Sequence, residues 1–241
     1  MIVIGLETSS SAASIAVAQD HQILAETFLR VETLYAEKLP GLLKRTLAEA
    51  NVTIQGVDGL AVSIGPGSYT GLRVGLSLVK GLAFATGKPF AAVPTLDAVA
   101  YNLPYCRYPV HVMLDARRGQ VYAARYDMTE GRPERTSAFQ AAAVEDIISD
   151  VHETAVFAGS GAEVYRTQIY ESLGDKAHFL PPGVACLQAS SIVCMGVHAL
   201  QQGEHASLYD LEPLYLRRPI FTKQPETHSK RVRNLSGKIN L

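Results

Sequence analysis

The sequence predicts a mixed α/β fold built by duplication, and three observations carry that prediction. Ile2–Ala18, IVIGLETSSSAASIAVA, and Val110–Tyr126, VHVMLDARRGQVYAARY, share one pattern: a strand-like run, an acid (Glu7, Asp115), a short loop and a second strand-like run, with the acids 108 positions apart. After each copy the elements come in the same order, a further strand and then helix and strand in alternation. Between the strands, apolar residues recur at helical spacing.

Taken in order, Gln22–Leu29 reads as the third strand of the first half, and Ser137–Gln140 as its shorter counterpart in the second. Thr33–Asn51 reads as a helix. Tyr35, Leu39, Leu42, Leu43, Leu47 and Ala50 form its apolar stripe, and Glu37, Lys38, Lys44, Arg45 and Glu49 its polar face. Pro40 should kink or restart this helix near its first turns. Gly59–Ile64 is a buried strand, and Thr70–Thr86 is a helix stopped by Gly87, with Pro89 beyond. Phe90–Val93 is a strand and Thr95–Asn102 a short helix. Pro104 to Pro109 is the expected linker, so residues 1–104 and 110–218 are the two βββαβα-like halves. In the second half, helices are expected near Ala142–Asp150, Ala162–Leu173 and Gln188–Gln201, with a strand at Thr154–Ala158.

A chain of 241 residues, 47% hydrophobic and 19% charged, can bury a full core without staples. Cys106, Cys186 and Cys194 form no C-x-x-C pair, which reads as reduced thiols rather than a disulfide frame or zinc site. IVIGLE at the start has no basic flank and an early glutamate, so it reads as a strand and not a signal peptide. No apolar run is long enough to span a membrane. A cytoplasmic protein is the resulting expectation. The net charge is −1, which excludes a general attraction to nucleic acid or membrane. The charge is uneven, however. Arg217 to Leu241 carries seven Lys/Arg against one Glu, a local charge of +6, which leaves −7 on the rest. Residues 219–241 therefore read as a flexible basic tail, solvated or in contact with RNA.

SIGPGSYTGLRVG, Ser63–Gly75, places four glycines where a strand turns into a helix. Counting from Gly65 or Gly67 fails the G-x-x-x-x-G-K-[ST] phosphate loop, and G-x-G-x-x-G fails because Thr70 stands where the third glycine belongs. A bare helix N-terminus still attracts anions, which leaves weak nucleotide binding open. The helix after this turn has a narrow polar stripe, Arg73, Ser77 and Lys80, and is apolar elsewhere. It must be covered on most sides, by its own domain or by another chain. Gly71 and Gly75 would let a backbone come close. No two histidines lie three or four apart and there is no G-x-S-x-G. Glu7 and Asp115 suit a metal or a general base, or equally the capping of their own loops.

IGLETSSSAASIAVA, SIGPGSYTGLRVGLSLVKGLAFATGKPFAAVPTLDAVA and MLDARRGQVYAARY resemble the TsaB (YeaZ) family, from Met1 to about Arg218. The resemblance implies the duplicated actin/sugar-kinase/Hsp70-type (ASKHA, RNase H-like) fold. It also implies a non-catalytic, dimerising subunit without a cofactor of its own. Its partners would be the paralogue TsaD and the ATPase TsaE, which hold the metal and the ATP, and through them tRNA. Their joint reaction moves threonylcarbamoyl from threonylcarbamoyl-adenylate to N6 of the adenosine 3′ of the anticodon in tRNAs reading ANN codons. TsaD-type chains carry a motif similar to V-N-H-x-E-G-H; here VPTLDAV, Val93–Val99, puts Thr95 and Val99 at the two histidine positions. Neither side chain is a credible metal ligand. On the family reading, the expected partner surface is Tyr35, Leu39, Leu42, Leu43, Leu47, Gly71, Leu72, Gly75, Leu76 and Val79, and the expected weak nucleotide site is Glu7, Thr8 and Ser9. The rival readings are an ATP-dependent small-molecule kinase of the same fold and a metallopeptidase.

Overall fold

A computed structural model describes residues 1–30, 35–181 and 187–217. The expected basic tail, Cys186 and the side chain of Tyr35 lie outside the described residues. β1 (Ile2–Glu7), β2 (Ala12–Gln19) and β3 (Gln22–Arg30) form an antiparallel meander. α1 (Tyr35–Glu49) leads to β4 (Gly59–Gly65), α2 (Tyr69–Thr86) to β5 (Phe90–Pro94), and α3 (Thr95–Tyr101) closes the run. β4 and β5 run parallel to β1, which gives the order β3-β2-β1-β4-β5.

The second sheet repeats the plan. β6 (Val110–Asp115) and β7 (Gln120–Thr129) are antiparallel, and β7 also pairs with β8 (Arg132–Arg135) and β9 (Gln140–Ala143). α4 (Val144–Ser149) precedes β10 (Ala155–Ala158), which runs parallel to β6. α5 (Ser160–Val164), α6 (Arg166–Leu173), β11 (Ala177–Phe179) and α7 (Ala189–Gln201) complete the described elements. The order is β11-β10-β6-β7-β8. The expected strand at Ser137–Gln140 is replaced by two, β8 ending before it and β9 starting at its last residue, Gln140. The single helix expected at Ala162–Leu173 is broken at Tyr165, whose φ/ψ of −104°/17° is not helical. α1 runs unbroken through Pro40 instead of restarting there.

Period-two patterning buries both faces of the first sheet. Ile4, Leu6, Ile15, Val17, Leu60 and Val62 meet α1 and α2, whereas Val3, Ala16, Ala61 and Val93 meet α7. The halves therefore exchange helices. α7, from the end of the chain, covers the first sheet, where a Cβ at Gly5 would lie 2.7 Å from that of Val193. The Ser14 hydroxyl accepts from the Ala189 N–H (2.9 Å). In return α3 buries Leu96, Val99 and Ala100 against Val110, Val112 and Ala124 of the second sheet. Tyr126 of β7 donates its hydroxyl proton to Asp97 of α3 at 2.7 Å. Residues 206–214 then return to the first sheet, where the N–H groups of Ala206 and Leu214 donate to the carbonyls of Phe90 and Ile64, both at 2.7 Å. No described helix is long and apolar enough to cross a membrane.

Candidate functional site

The loop after β1 and the glycine turn before α2 are pressed together. The Ser68 N–H donates to the Ser9 carbonyl (2.6 Å), and the Thr8 hydroxyl to the Gly71 carbonyl (2.8 Å). A Cβ at Gly67 would collide with the Ser9 carbonyl, one at Gly71 with the Thr8 carbonyl, and one at Gly75 with the Thr8 hydroxyl. These glycines thus admit the chain's own hairpin loop rather than a phosphate or a partner's backbone. Ser68 caps α2 by accepting from the Gly71 N–H at 3.2 Å.

Glu7, Thr8 and Ser9 are all buried beneath this contact, which corrects their expected role as a nucleotide site. Glu7 Oε1 accepts both the Ser9 N–H (2.5 Å) and the Ser9 hydroxyl (2.6 Å), which is the loop-capping role. Its Oε2 is buried without a hydrogen-bond partner. Burial pushes the Glu7 carboxyl up to about 7, against the opposing pull of the Ser9 hydroxyl and N–H. Asp115 caps its own loop in the same way, accepting the Arg117 N–H at 2.9 Å, but closer to solvent.

The expected partner surface needs a second correction. Leu39, Leu42, Leu43, Leu72, Leu76 and Val79 are buried in the chain's own core, and Leu47 packs half-buried against them. They cover the first sheet, and of them Leu39, at the floor of an outward groove, and the half-buried Leu47 keep some outer surface. The outward side of the helix pair is a groove of about 370 Å³ between α1 and α2, lined by Ala36, Leu39, Pro40, Arg73, Val74, Ser77 and Leu78. Along the same exposed side lies Phe84, 74% accessible, with open space above Gly41 and Gly81. Those two glycines, not Gly71 and Gly75, are where another backbone has room. Thr95 and Val99 are fully buried, and the Thr95 hydroxyl oxygen has no hydrogen-bond partner.

A third feature escaped the sequence reading. A cleft of about 180 Å³ opens where the β6–β7 hairpin, the start of α2 and residues 214–217 meet; Tyr69, Arg117, Arg118, Tyr215 and Arg217 line it. The Tyr69 and Tyr215 rings pack with centroids 5.0 Å apart, and the Arg73 guanidinium sits 5.3 Å from the Tyr69 ring centre. The available signal was the Arg-Arg-Gly run after Asp115; Tyr215 carried none, because nearly 100 residues separate it from the hairpin.

Two sheets of the same topology, with helices exchanged across them, define the duplicated ASKHA class. The R-2-hydroxyglutaryl-CoA dehydratase component A of Acidaminococcus fermentans shares that fold, at a TM-score of 0.51 and 12% identity over 83% of this chain and 99% of its own. The family model TsaD, tRNA N6-adenosine threonylcarbamoyltransferase, matches residues 30–228, and the chain belongs to that family, on its TsaB (YeaZ) branch. The tRNA threonylcarbamoyladenosine biosynthesis protein TsaB of Bacillus subtilis is 26% identical over 90% of this chain and 94% of its own length. The structure of YeaZ from Pseudomonas aeruginosa superposes with a TM-score of 0.74 at 26% identity, covering 89% of this chain and 99% of that one.

Proposed function

We propose that this chain is a non-catalytic subunit in tRNA threonylcarbamoyladenosine biosynthesis, which binds TsaD through the outward side of α1 and α2 and supports its transfer of threonylcarbamoyl to adenosine. The observation that carries the reading is the exposed apolar groove between two helices of a fold that the partner shares. Two chains of one family can meet there through equivalent helix pairs, as ridges into grooves. Val74 and Leu78 give apolar area, and Gly41 and Gly81 give close approach. The side chains at the two TsaD histidine positions, Thr95 and Val99, are fully buried, Val99 in an apolar cluster, which favours support over catalysis. ATP and metal belong to TsaE and TsaD in this reading, and a homodimer of this chain would use the same face.

Sedimentation of the chain with and without TsaD from the same organism tests this. A one-to-one heterodimer that replaces any homodimer is expected. Ser77→Arg and Phe84→Glu, both on exposed positions, should abolish it while the thermal midpoint moves by no more than a few degrees. Undiminished binding by both variants would remove this surface from consideration.

A further inference from the structure

The cleft between the β6–β7 hairpin and residues 214–217 is independent of the α1–α2 face and is unused by the proposed subunit role. Its charge is only partly compensated. Among the described residues Arg118 makes no ion pair. Arg217 donates to the Ala116 carbonyl (2.8 Å), a neutral group. The acids at hand are Asp115, 3.9 Å from the Arg117 guanidinium, and Glu212, beside Tyr215. Arg117 and Arg118 stand exposed at φ of 65° and 58°, a left-handed conformation that arginine adopts at a cost. The turn thus holds two cations at its tip against backbone preference.

Next to these cations, Tyr215 is 38% exposed and is backed by Tyr69, so its ring has a fixed orientation and an accessible part. A fixed aromatic face among arginines is the pairing that holds unpaired bases and their phosphates. The chain also leaves the described structure at Arg217, on the rim of this cleft. The 24 residues beyond it carry six Lys/Arg and one Glu. Among the described residues, Arg117, Arg118 and Arg217 place three cations around one opening.

We infer that this cleft is a direct contact site for single-stranded RNA: Arg117, Arg118 and Arg217 hold the phosphodiester backbone and Tyr215, backed by Tyr69, stacks a base. The ligand class is a polyanion with exposed base faces, which a protein-only supporting role does not require. The shape of the opening, small and shared by three segments, suits one or two nucleotides rather than a duplex groove.

Fluorescence anisotropy of the full chain with a labelled, unstructured oligoribonucleotide of about a dozen nucleotides tests it. Binding should weaken with salt at a slope of about −2 to −3 in log K against log salt, as three or four neutralised phosphates give on a single strand. Arg118→Glu and Tyr215→Ala should each weaken binding by about tenfold or more, whereas Arg118→Lys stays within about threefold. A full-length variant with Lys230, Arg231 and Arg233 changed to Gln should lower affinity without abolishing it. Three results would overturn the proposal: no binding at low salt, unaltered binding by Arg118→Glu and Tyr215→Ala, or complete displacement of RNA by equimolar ATP, which would make the cleft a free-nucleotide site. None of them bears on the TsaD heterodimer, so the two readings fail separately.

Discussion

The two β-hairpins that open the halves are the same device in opposite settings. In each, an acid at the end of the first strand accepts the N–H two residues on: Ser9 to Glu7, Arg117 to Asp115. In each, a serine of a neighbouring element accepts an N–H at the end of the first strand: Ser63 of β4 from Thr8 at 3.4 Å, Ser160 of α5 from Asp115 at 3.2 Å. The first hairpin loop is sealed beneath α2, while the second projects two arginines to solvent. The difference lies in the helix that succeeds the adjacent strand. α2 presents Gly71 and Gly75 to the loop and is 18 residues long, whereas α5 offers Gly161 alone and ends after five residues. A duplicated fold has closed one copy of its loop and left the other open.

Closure can be broken most directly at the helix. Gly71→Ala drives a methyl into the Thr8 carbonyl, which is backbone and cannot swing away; a loss of about 3 kcal/mol or more is expected in urea unfolding. The matched Gly161→Ala meets the Met113 and Leu114 backbone at 3.0 Å and should lose about 1 kcal/mol. Equal losses would mean that the two loops are sealed alike.

The buried acid gives the next effect. The folded state raises Glu7 from its ordinary 4.5 to about 7, so the native chain holds a proton that the unfolded chain releases. Stability tied to this group is complete below about pH 4.5 and falls as pH rises toward 7, by about 3 kcal/mol at most. Glu7→Gln should flatten that slope: its thermal midpoint should match the unsubstituted chain at pH 5 and exceed it at pH 8. A Glu7→Gln chain with an unchanged slope would assign the pH dependence to other groups.

Smaller effects sharpen the contrast. Thr8→Val keeps the shape but removes the bond to the Gly71 carbonyl, for about 1 kcal/mol by denaturant midpoint. Arg118→Gly relieves a left-handed residue at the open tip and should stabilise by about 0.5 kcal/mol, the relief being partly offset by glycine's entropy. A destabilised Arg118→Gly would mean that the side chain packs rather than reaches.

Much of this architecture could be read from residue order. The 108-residue offset between Glu7 and Asp115, the alternation along β1 and β4 and the Gly87 stop of α2 each reflect a local preference that the fold keeps. The orientation of α2 could not be read. A helix apolar over most of its circumference has no pattern that tells Leu76, facing the sheet, from Leu78, facing the groove. The same ambiguity assigned Gly71 and Gly75 to a partner, when the nearest backbone was a loop 63 residues earlier. Short strands such as Ala177–Phe179 carry too few residues to show a period. The cleft at Arg118 and Tyr215 depends on a return of the chain across both halves, which no local signal encodes.

The covering of the first sheet by α7 has a consequence for synthesis. The sheet is complete in sequence once β5 has emerged, yet the helix that shields Val3, Ala16, Ala61 and Val93 lies about a hundred residues further on. At ~5–20 residues per second, that apolar face stays bare on the ribosome for roughly 5–20 s. A nascent chain of this design is therefore a client for whatever shields hydrocarbon at the exit tunnel, and a message cut short before Ala189 yields a product with its hydrophobic face still open.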